Sequence, residues 1–201
     1  MRILVTGGAG YLGSIIVPEL LARGHEVTVI DNFRYAQSSL LDCCHNPKLA
    51  IIRGDAGERE LIKKRLFGAD VIIPLAALVG APLCKKEPDE SRRVNVDAVR
   101  LAVELARPEQ KIIFPTTNSG YGIGEAGVYC TEETPLRPIS LYGRQKVEAE
   151  RMILDRGHAI TLRLATVFGI SPRMRLDLLV NDFVYRALRD RFLVLFEADF
   201  K

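Results

Sequence analysis

Thr6-Gly7-Gly8-Ala9-Gly10-Tyr11-Leu12-Gly13 decides the fold. Ahead of it, Arg2–Val5 is a short apolar run of the kind that forms a buried strand. Behind it, Tyr11–Ala22 carries the apolar spacing of a helix. Between them Gly7, Gly10 and Gly13 form G-x-x-G-x-x-G. Three demands exclude side chains there: a tight turn at positive φ, a pyrophosphate against the backbone, and a helix lying close to the strand. The helix N-terminus adds free N–H groups and partial positive charge. A turn merely rich in glycine is the bland alternative. The strand and helix on either side favour a dinucleotide-binding loop, with Gly7, Gly10, Tyr11, Leu12 and Gly13 at the phosphates.

Outward from this loop, short β-branched runs alternate with helical periods. Strands are predicted at Arg2–Val5, Glu26–Ile30, Leu49–Arg53, Val71–Pro74, Lys111–Pro115 and Ala159–Leu164. Helices are predicted at Tyr11–Ala22, Glu58–Phe67, Glu90–Ala106 and Ser140–Leu154, with another near Leu178–Arg189. That alternation predicts an α/β fold, a doubly wound parallel sheet of the Rossmann type. Gly120–Pro138 and Gly169–Pro172 read as loops above the sheet. After Gly169 the alternation weakens, and the apolar run Phe192–Phe196 reads as one more strand. Residues 1–170 are therefore expected to form the nucleotide-binding domain. Residues 171–201 are expected to begin a substrate-binding region that is truncated at Lys201.

Asp31 ends the second strand, about 20 residues beyond the glycines, where a carboxylate can accept hydrogen bonds from both adenosine ribose hydroxyls. It would repel a 2′-phosphate, so NAD is favoured over NADP, with Asn32 beside it. Arg34 lies close by and could serve such a phosphate. A strand-end Asp can also simply cap a turn. Gly54-Asp55-Ala56, after the third strand, is expected near the adenine, although Gly-Asp is also ordinary turn chemistry.

Composition narrows the function classes. Of 201 residues, 48% are hydrophobic and 26% charged, the balance of a globular chain. Twenty-eight basic and 25 acidic residues are well mixed, for a net charge of +3, so there is no electrostatic footprint for nucleic acid. No stretch is long and apolar enough to span a bilayer. Cys43, Cys44, Cys84 and Cys130 form no C-x-x-C pair, and His25, His45 and His158 show no metal-ligand spacing. A reduced, cytoplasmic protein without a metal is expected.

Tyr142-Gly143-Arg144-Gln145-Lys146 is Y-x-x-x-K, and positions i and i+4 share a helix face. Ser140 reads as the N-cap. A lysine near a phenol, together with the positive helix end, lowers the phenol from its usual pKa of about 10. Tyr142 could then act as acid or base. Alone, the motif is equally an aromatic and a solvated lysine on an amphipathic helix. Phe114-Pro115-Thr116-Thr117-Asn118-Ser119-Gly120-Tyr121-Gly122 adds hydroxyls at the carboxyl end of the fifth strand, where an open parallel sheet binds ligands.

These pieces together resemble the extended short-chain dehydrogenases/reductases, in the branch of nucleotide-sugar epimerases and dehydratases. Leu75-Ala76-Ala77, Asn95 and Leu162-Arg163…Val167-Phe168-Gly169 match as well, so the resemblance covers nearly the whole chain. It implies that Thr117 holds the catalytic Ser/Thr position, Tyr142 is the acid/base, and Lys146 binds the nicotinamide ribose. Leu75, Ala76, Ala77 and Thr116 would border the cofactor, and Asn95 would support the site from its helix. It also implies a nucleotide-sugar substrate and a homodimer paired through the helices of Asn95 and Tyr142; Leu101, Val103 and Leu105 are compatible with a buried face there, or with one that packs only on the sheet. Two departures matter. Dehydratases of this kind carry Thr-Asp-Glu where this chain has Thr117-Asn118-Ser119, so dehydration is not expected. Thr166 stands where similar epimerases often have Asn, which leaves the nucleotide and sugar open. The expectation is NAD-dependent epimerisation through a keto sugar. The alternatives are a keto-sugar reductase or dehydrogenase, and a cofactor-binding sensor or scaffold without turnover.

Overall fold

The structure, a computed structural model, describes residues 1–124 and 127–195. Six strands form one sheet: β1 (Arg2–Thr6), β2 (Glu26–Asp31), β3 (Leu49–Arg53), β4 (Val71–Pro74), β5 (Lys111–Thr117) and β6 (Ala159–Leu164). Their order is β3-β2-β1-β4-β5-β6, and every neighbouring pair is parallel. The helices are α1 (Gly13–Ala22), α2 (Arg59–Leu66), α3 (Ala81–Lys86), α4 (Pro88–Arg92), α5 (Ala98–Leu105), α6 (Leu141–Arg156) and α7 (Leu179–Arg189). This is the doubly wound, Rossmann-like order, and its direction reverses between β1 and β4.

Strand alternation divides the core in two. Leu4, Ile30, Ile72, Ile112 and Phe114 face one side, packed by Ile62 and Leu66 of α2, Val99 of α5, and Ala149 and Ile153 of α6. Ile3, Val5, Val27, Val29 and Ile73 face the other, packed by Val17 and Leu21 of α1. That second face is covered beside β1 and β2 but open at β6, where Ile160 and Leu162 stay exposed.

All six strands lie where the sequence places them, with β1, β2 and β5 running slightly further. The helices differ more. α1 begins at Gly13 rather than Tyr11, because Tyr11 and Leu12 still belong to the loop. The single helix expected over Glu90–Ala106 is α4, a π turn at Arg93–Asp97, and α5. The π turn adds a residue to the helical register and carries the buried Asn95. α3 escapes sequence reading because six residues are too few to show a helical period. Residues 192–195 take no regular structure and add no strand to the sheet. Phe196, the last residue of that expected strand, lies outside the described residues. No helix among the described residues is long and apolar enough to cross a membrane.

Candidate active site

The carboxyl ends of β1, β2, β3 and β4 surround a cleft of about 640 Å³, counting the open space at its mouth. Gly7 turns at φ +71°, and a Cβ there would lie 2.5 Å from the Ala76 backbone nitrogen. A Cβ on Gly13 would lie 2.4 Å from the Gly8 carbonyl oxygen, so only glycine lets α1 start this close to the loop. Of the residues expected to bind cofactor, Gly7, Gly10, Asp31, Asn32, Asp55, Ala56, Leu75, Ala76 and Ala77 line this cleft. Sequence reasoning did not single out Tyr35, Gln37, Leu78 and Val94, which line it too. Tyr11, Leu12, Gly13, Asn95, Thr116, Tyr142 and Lys146, also expected at the cofactor, do not line it. The Tyr11 hydroxyl donates to the Gly169 carbonyl at 2.7 Å and accepts from Asn181 at 3.0 Å.

Asp31 is buried at the end of β2. Its carboxylate accepts from the Ala9 N–H at 3.0 Å, the Phe33 N–H at 2.8 Å and the Gln37 amide at 3.2 Å. The carboxylate is thus bonded both to the glycine loop and to its own turn. It keeps acceptor capacity, because a carboxylate offers about four lone-pair sites. Asp55 is engaged differently. Arg93 donates to both its oxygens, at 2.8 and 2.9 Å, and Gly57 N–H donates at 2.7 Å. The Arg93 guanidinium holds the Asp55 carboxyl below its ordinary range, against the opposing effect of burial.

Asn95 reaches the cleft only through other residues. Its side-chain oxygen accepts from the Leu78 N–H at 2.9 Å, and its amide donates to the Leu78 carbonyl at 3.0 Å and to Gln145 at 3.0 Å. Gln145 in turn donates to Ser91 at 2.9 Å. A buried amide network therefore ties the loop after β4 to α6.

Ser140 caps α6 by accepting from the Gly143 N–H at 3.0 Å. A Cβ on Gly143 would lie 3.1 Å from the Ser119 carbonyl, so this glycine lets α6 approach the end of β5. Tyr142 packs against Leu78, Cys84 and Val94 beside the cleft. Thr117 is buried; its hydroxyl donates to the Ser119 hydroxyl and accepts from the Ser119 N–H, each at 3.1 Å. No hydrogen bond joins Thr117 to Tyr142 among the described residues. Thr116 is buried on the Phe114 side of β5, and its hydroxyl has no partner among the described residues.

Lys146 is 5% exposed, and its Nζ sits 3.8 Å above the Phe114 ring centre. Burial pushes its pKa down to about 7, partly opposed by Glu150. Burial pushes the Tyr142 phenol up to about 12; Cys84 adds to the rise and Arg175 opposes it. The expected lowering of the phenol by Lys146 is therefore not found. Desolvation disfavours the charged form of both groups, and neither shift has the other group among its causes.

Glu150, one turn beyond Lys146, is 1% exposed. It accepts from Arg163 of β6 at 2.8 Å and from Thr161 at 3.3 Å. Arg163 also donates to the Tyr121 hydroxyl at 3.2 Å and the Glu132 carbonyl at 2.9 Å. Sequence reading passed over this pair. Its available signal was the spacing Tyr142, Lys146, Glu150, which repeats every four residues along one helix face.

The cradle that a Cβ would fill and the acidic end of β2 fit a dinucleotide. The comparisons with known proteins agree. The model of the NAD dependent epimerase/dehydratase family matches residues 3–196. A UDP-glucuronic acid decarboxylase of Arabidopsis thaliana is 32% identical over 200 residues, covering 94% of this chain and 45% of that protein. The chain thus spans about half the length of the curated relatives it matches. A Thermus thermophilus UDP-glucose 4-epimerase, solved in complex with NAD, superposes with a TM-score of 0.82 at 29% identity, over 94% of this chain and 63% of that one. A Bacillus cereus UDP-glucuronic acid 4-epimerase, solved with UDP-glucuronic acid and NAD, gives 0.83 at 27% identity, over 94% and 64%. From the glycine loop to α7, the chain belongs to the NAD dependent epimerase/dehydratase family.

Proposed function

We propose that this chain binds NAD and carries the proton-transfer residues of a nucleotide-sugar epimerase. The observation that carries the reading is Tyr142 and Lys146 on one face of α6, with Tyr142 packed against Leu78 at the cleft. NAD, when bound, supplies the acceptor for a hydride from a sugar carbon and the means to return it. Tyr142 takes the proton of the hydroxyl on that carbon, which becomes a ketone, and gives a proton back on reduction. Thr117 donates a hydrogen bond to the same oxygen. A phenol near 12 needs a neighbouring positive charge to act near neutral pH. Lys146 supplies that charge when protonated and also holds the nicotinamide ribose.

Asn118 and Ser119 offer no carboxyl group for expelling a sugar hydroxyl as water, which disfavours dehydration. One observation favours a second reading: the 32% identical relative is a decarboxylase. Oxidation of a nucleotide sugar acid at the same position gives a β-keto acid, which loses CO2 readily. We further propose that residues 171–201 begin the substrate-binding region.

To test this, the whole protein, with any sequence that follows residue 201, is incubated with NAD and either UDP-glucose or UDP-glucuronate, and products are read by NMR. The 4-epimer is expected. CO2 with a pentose product selects the second reading, and a dehydrated keto sugar overturns both. Net use of added NADH on a keto sugar indicates a reductase, and NAD binding without turnover indicates a sensor.

A homodimer through the α4–α5 and α6 faces belongs to the same proposal. Leu101, Val103 and Leu105 already pack against the core, and Arg92, Arg100 and Glu148 form ion pairs across the outer surface. The partner would therefore meet a mixed rather than a purely apolar face. Light scattering of a monomer at high concentration counts against it.

A further inference from the structure

Arg34 lines the cleft together with Asp31. A guanidinium at this place, three residues past the end of β2, is well suited to grip a ribose 2′-phosphate through paired N–H groups. In this chain it is already held. Its Nη2 donates to both Glu87 oxygens, at 2.9 and 2.7 Å, while Glu90 stands 3.9 Å from its Nη1. Glu87 sits in the joint between α3 and α4, where its N–H donates to the Leu83 carbonyl at 2.9 Å. Pro88 follows and restricts the Glu87 backbone further. Glu90 cannot easily replace Glu87, because Arg93 donates to both its oxygens at 2.7 Å and continues to Asp55. Three carboxylates, Asp55, Glu87 and Glu90, thus hold the guanidinium groups of Arg34 and Arg93 beside the cleft.

We propose that Glu87 is a positioning residue: it withholds the Arg34 guanidinium from a ribose phosphate and so reinforces selection of NAD over NADP. This rests on the NAD reading above, and adds to the carboxylate of Asp31 a second determinant from a distant loop. Freed of Glu87, Arg34 gains a phosphate partner; the double variant tests whether the shift runs through Arg34.

The test is calorimetric titration of NAD and NADP into the wild-type chain, Glu87→Ala, Arg34→Ala and Glu87→Ala/Arg34→Ala, with folding checked by circular dichroism. Wild type should favour NAD. Glu87→Ala should shift the NADP-to-NAD affinity ratio toward NADP by about tenfold, the worth of a charge-assisted hydrogen bond. The shift should shrink at high salt and disappear in the double variant. If wild type binds NAD but Glu87→Ala leaves the ratio unchanged, or if the shift survives in the double variant, the role of Glu87 is overturned while the NAD reading stands. If wild type binds neither nucleotide, or prefers NADP, the NAD reading falls and this inference falls with it.

Discussion

On the β1–β2 side of the switch point, the cleft is shaped by backbone. Gly7 and Gly13 leave no room for a Cβ, and the Asp31 carboxylate is pinned by N–H groups of the loop and its own turn. On the β5–β6 side, the residues proposed for the chemistry are buried or half-buried side chains. Lys146 lies over Phe114, Glu150 pairs with Arg163, and Tyr142 packs against Cys84. The first flank tolerates almost no added volume. The second carries charges at a desolvation cost, visible in the Tyr142 and Lys146 shifts. Holding a nucleotide needs fixed N–H groups and close approach. Moving a proton needs groups whose charge the surroundings can tune.

If that contrast is right, the largest effect of a small change falls on the chemical flank. Tyr142→Phe keeps the ring and removes the transferable proton. Turnover of the whole protein should drop by about 10²–10⁴-fold, with NAD affinity by calorimetry little altered. Turnover equal to the parent's would leave Y-x-x-x-K as only a helix face.

Arg163→Ala should come next, this time in stability. It leaves Glu150 buried without its cation, a loss of about 3–5 kcal/mol for a broken buried pair. Urea denaturation reads it as a lowered midpoint. A loss under about 1 kcal/mol would show that the pair does not hold α6 to β6.

Gly13→Ala probes the other flank. A Cβ 2.4 Å from the Gly8 carbonyl forces loop and helix apart, at about 1–3 kcal/mol of stability. NAD affinity should fall in the same variant, because the displaced N–H groups are those that meet the phosphates. Unchanged affinity would mean that the loop is not the phosphate cradle.

The last effect is a pH dependence, spread over several pH units rather than set by one substitution. Lys146 falls from an ordinary value of 10.5 to about 7 on folding. Between those values the unfolded chain binds more protons than the folded one, so this group makes stability rise with pH from about 7 toward 10.5. The slope is at most one proton's worth, about 1.4 kcal/mol per pH unit. Tyr142 shifts the other way, and its contribution is lost only above its ordinary value of 10. Lys146→Met should therefore flatten the rise of melting temperature between pH 7 and 9. An unchanged rise would assign the slope to other groups.

The two flanks were also unequally legible. The glycine loop, Asp31 and all six strands follow from local pattern, because each is fixed by residues adjacent in the chain: a turn that only glycine can make, an apolar run, a carboxylate at a strand end. Asn95 was placed among the cofactor residues, yet its amide is spent on Leu78 and Gln145. No local pattern shows that α6 would come close enough to receive it. The π turn that carries Asn95 is equally hidden, since one extra residue barely disturbs an apolar period.

The sequence by itself therefore determined the sheet, the cradle and the identity of the Tyr142–Lys146 pair, because spacing along the chain sets which residues share a face or a turn. The tertiary structure decided which charged groups are buried, and against what. The phenol rises to about 12 rather than falling, and Lys146 rests on Phe114, a residue of another element. Glu87, more than fifty positions from Arg34, occupies the one guanidinium that a local reading leaves ready for a phosphate. Desolvation and pairing depend on what packs from elsewhere in the chain, and those distances are not written in local sequence.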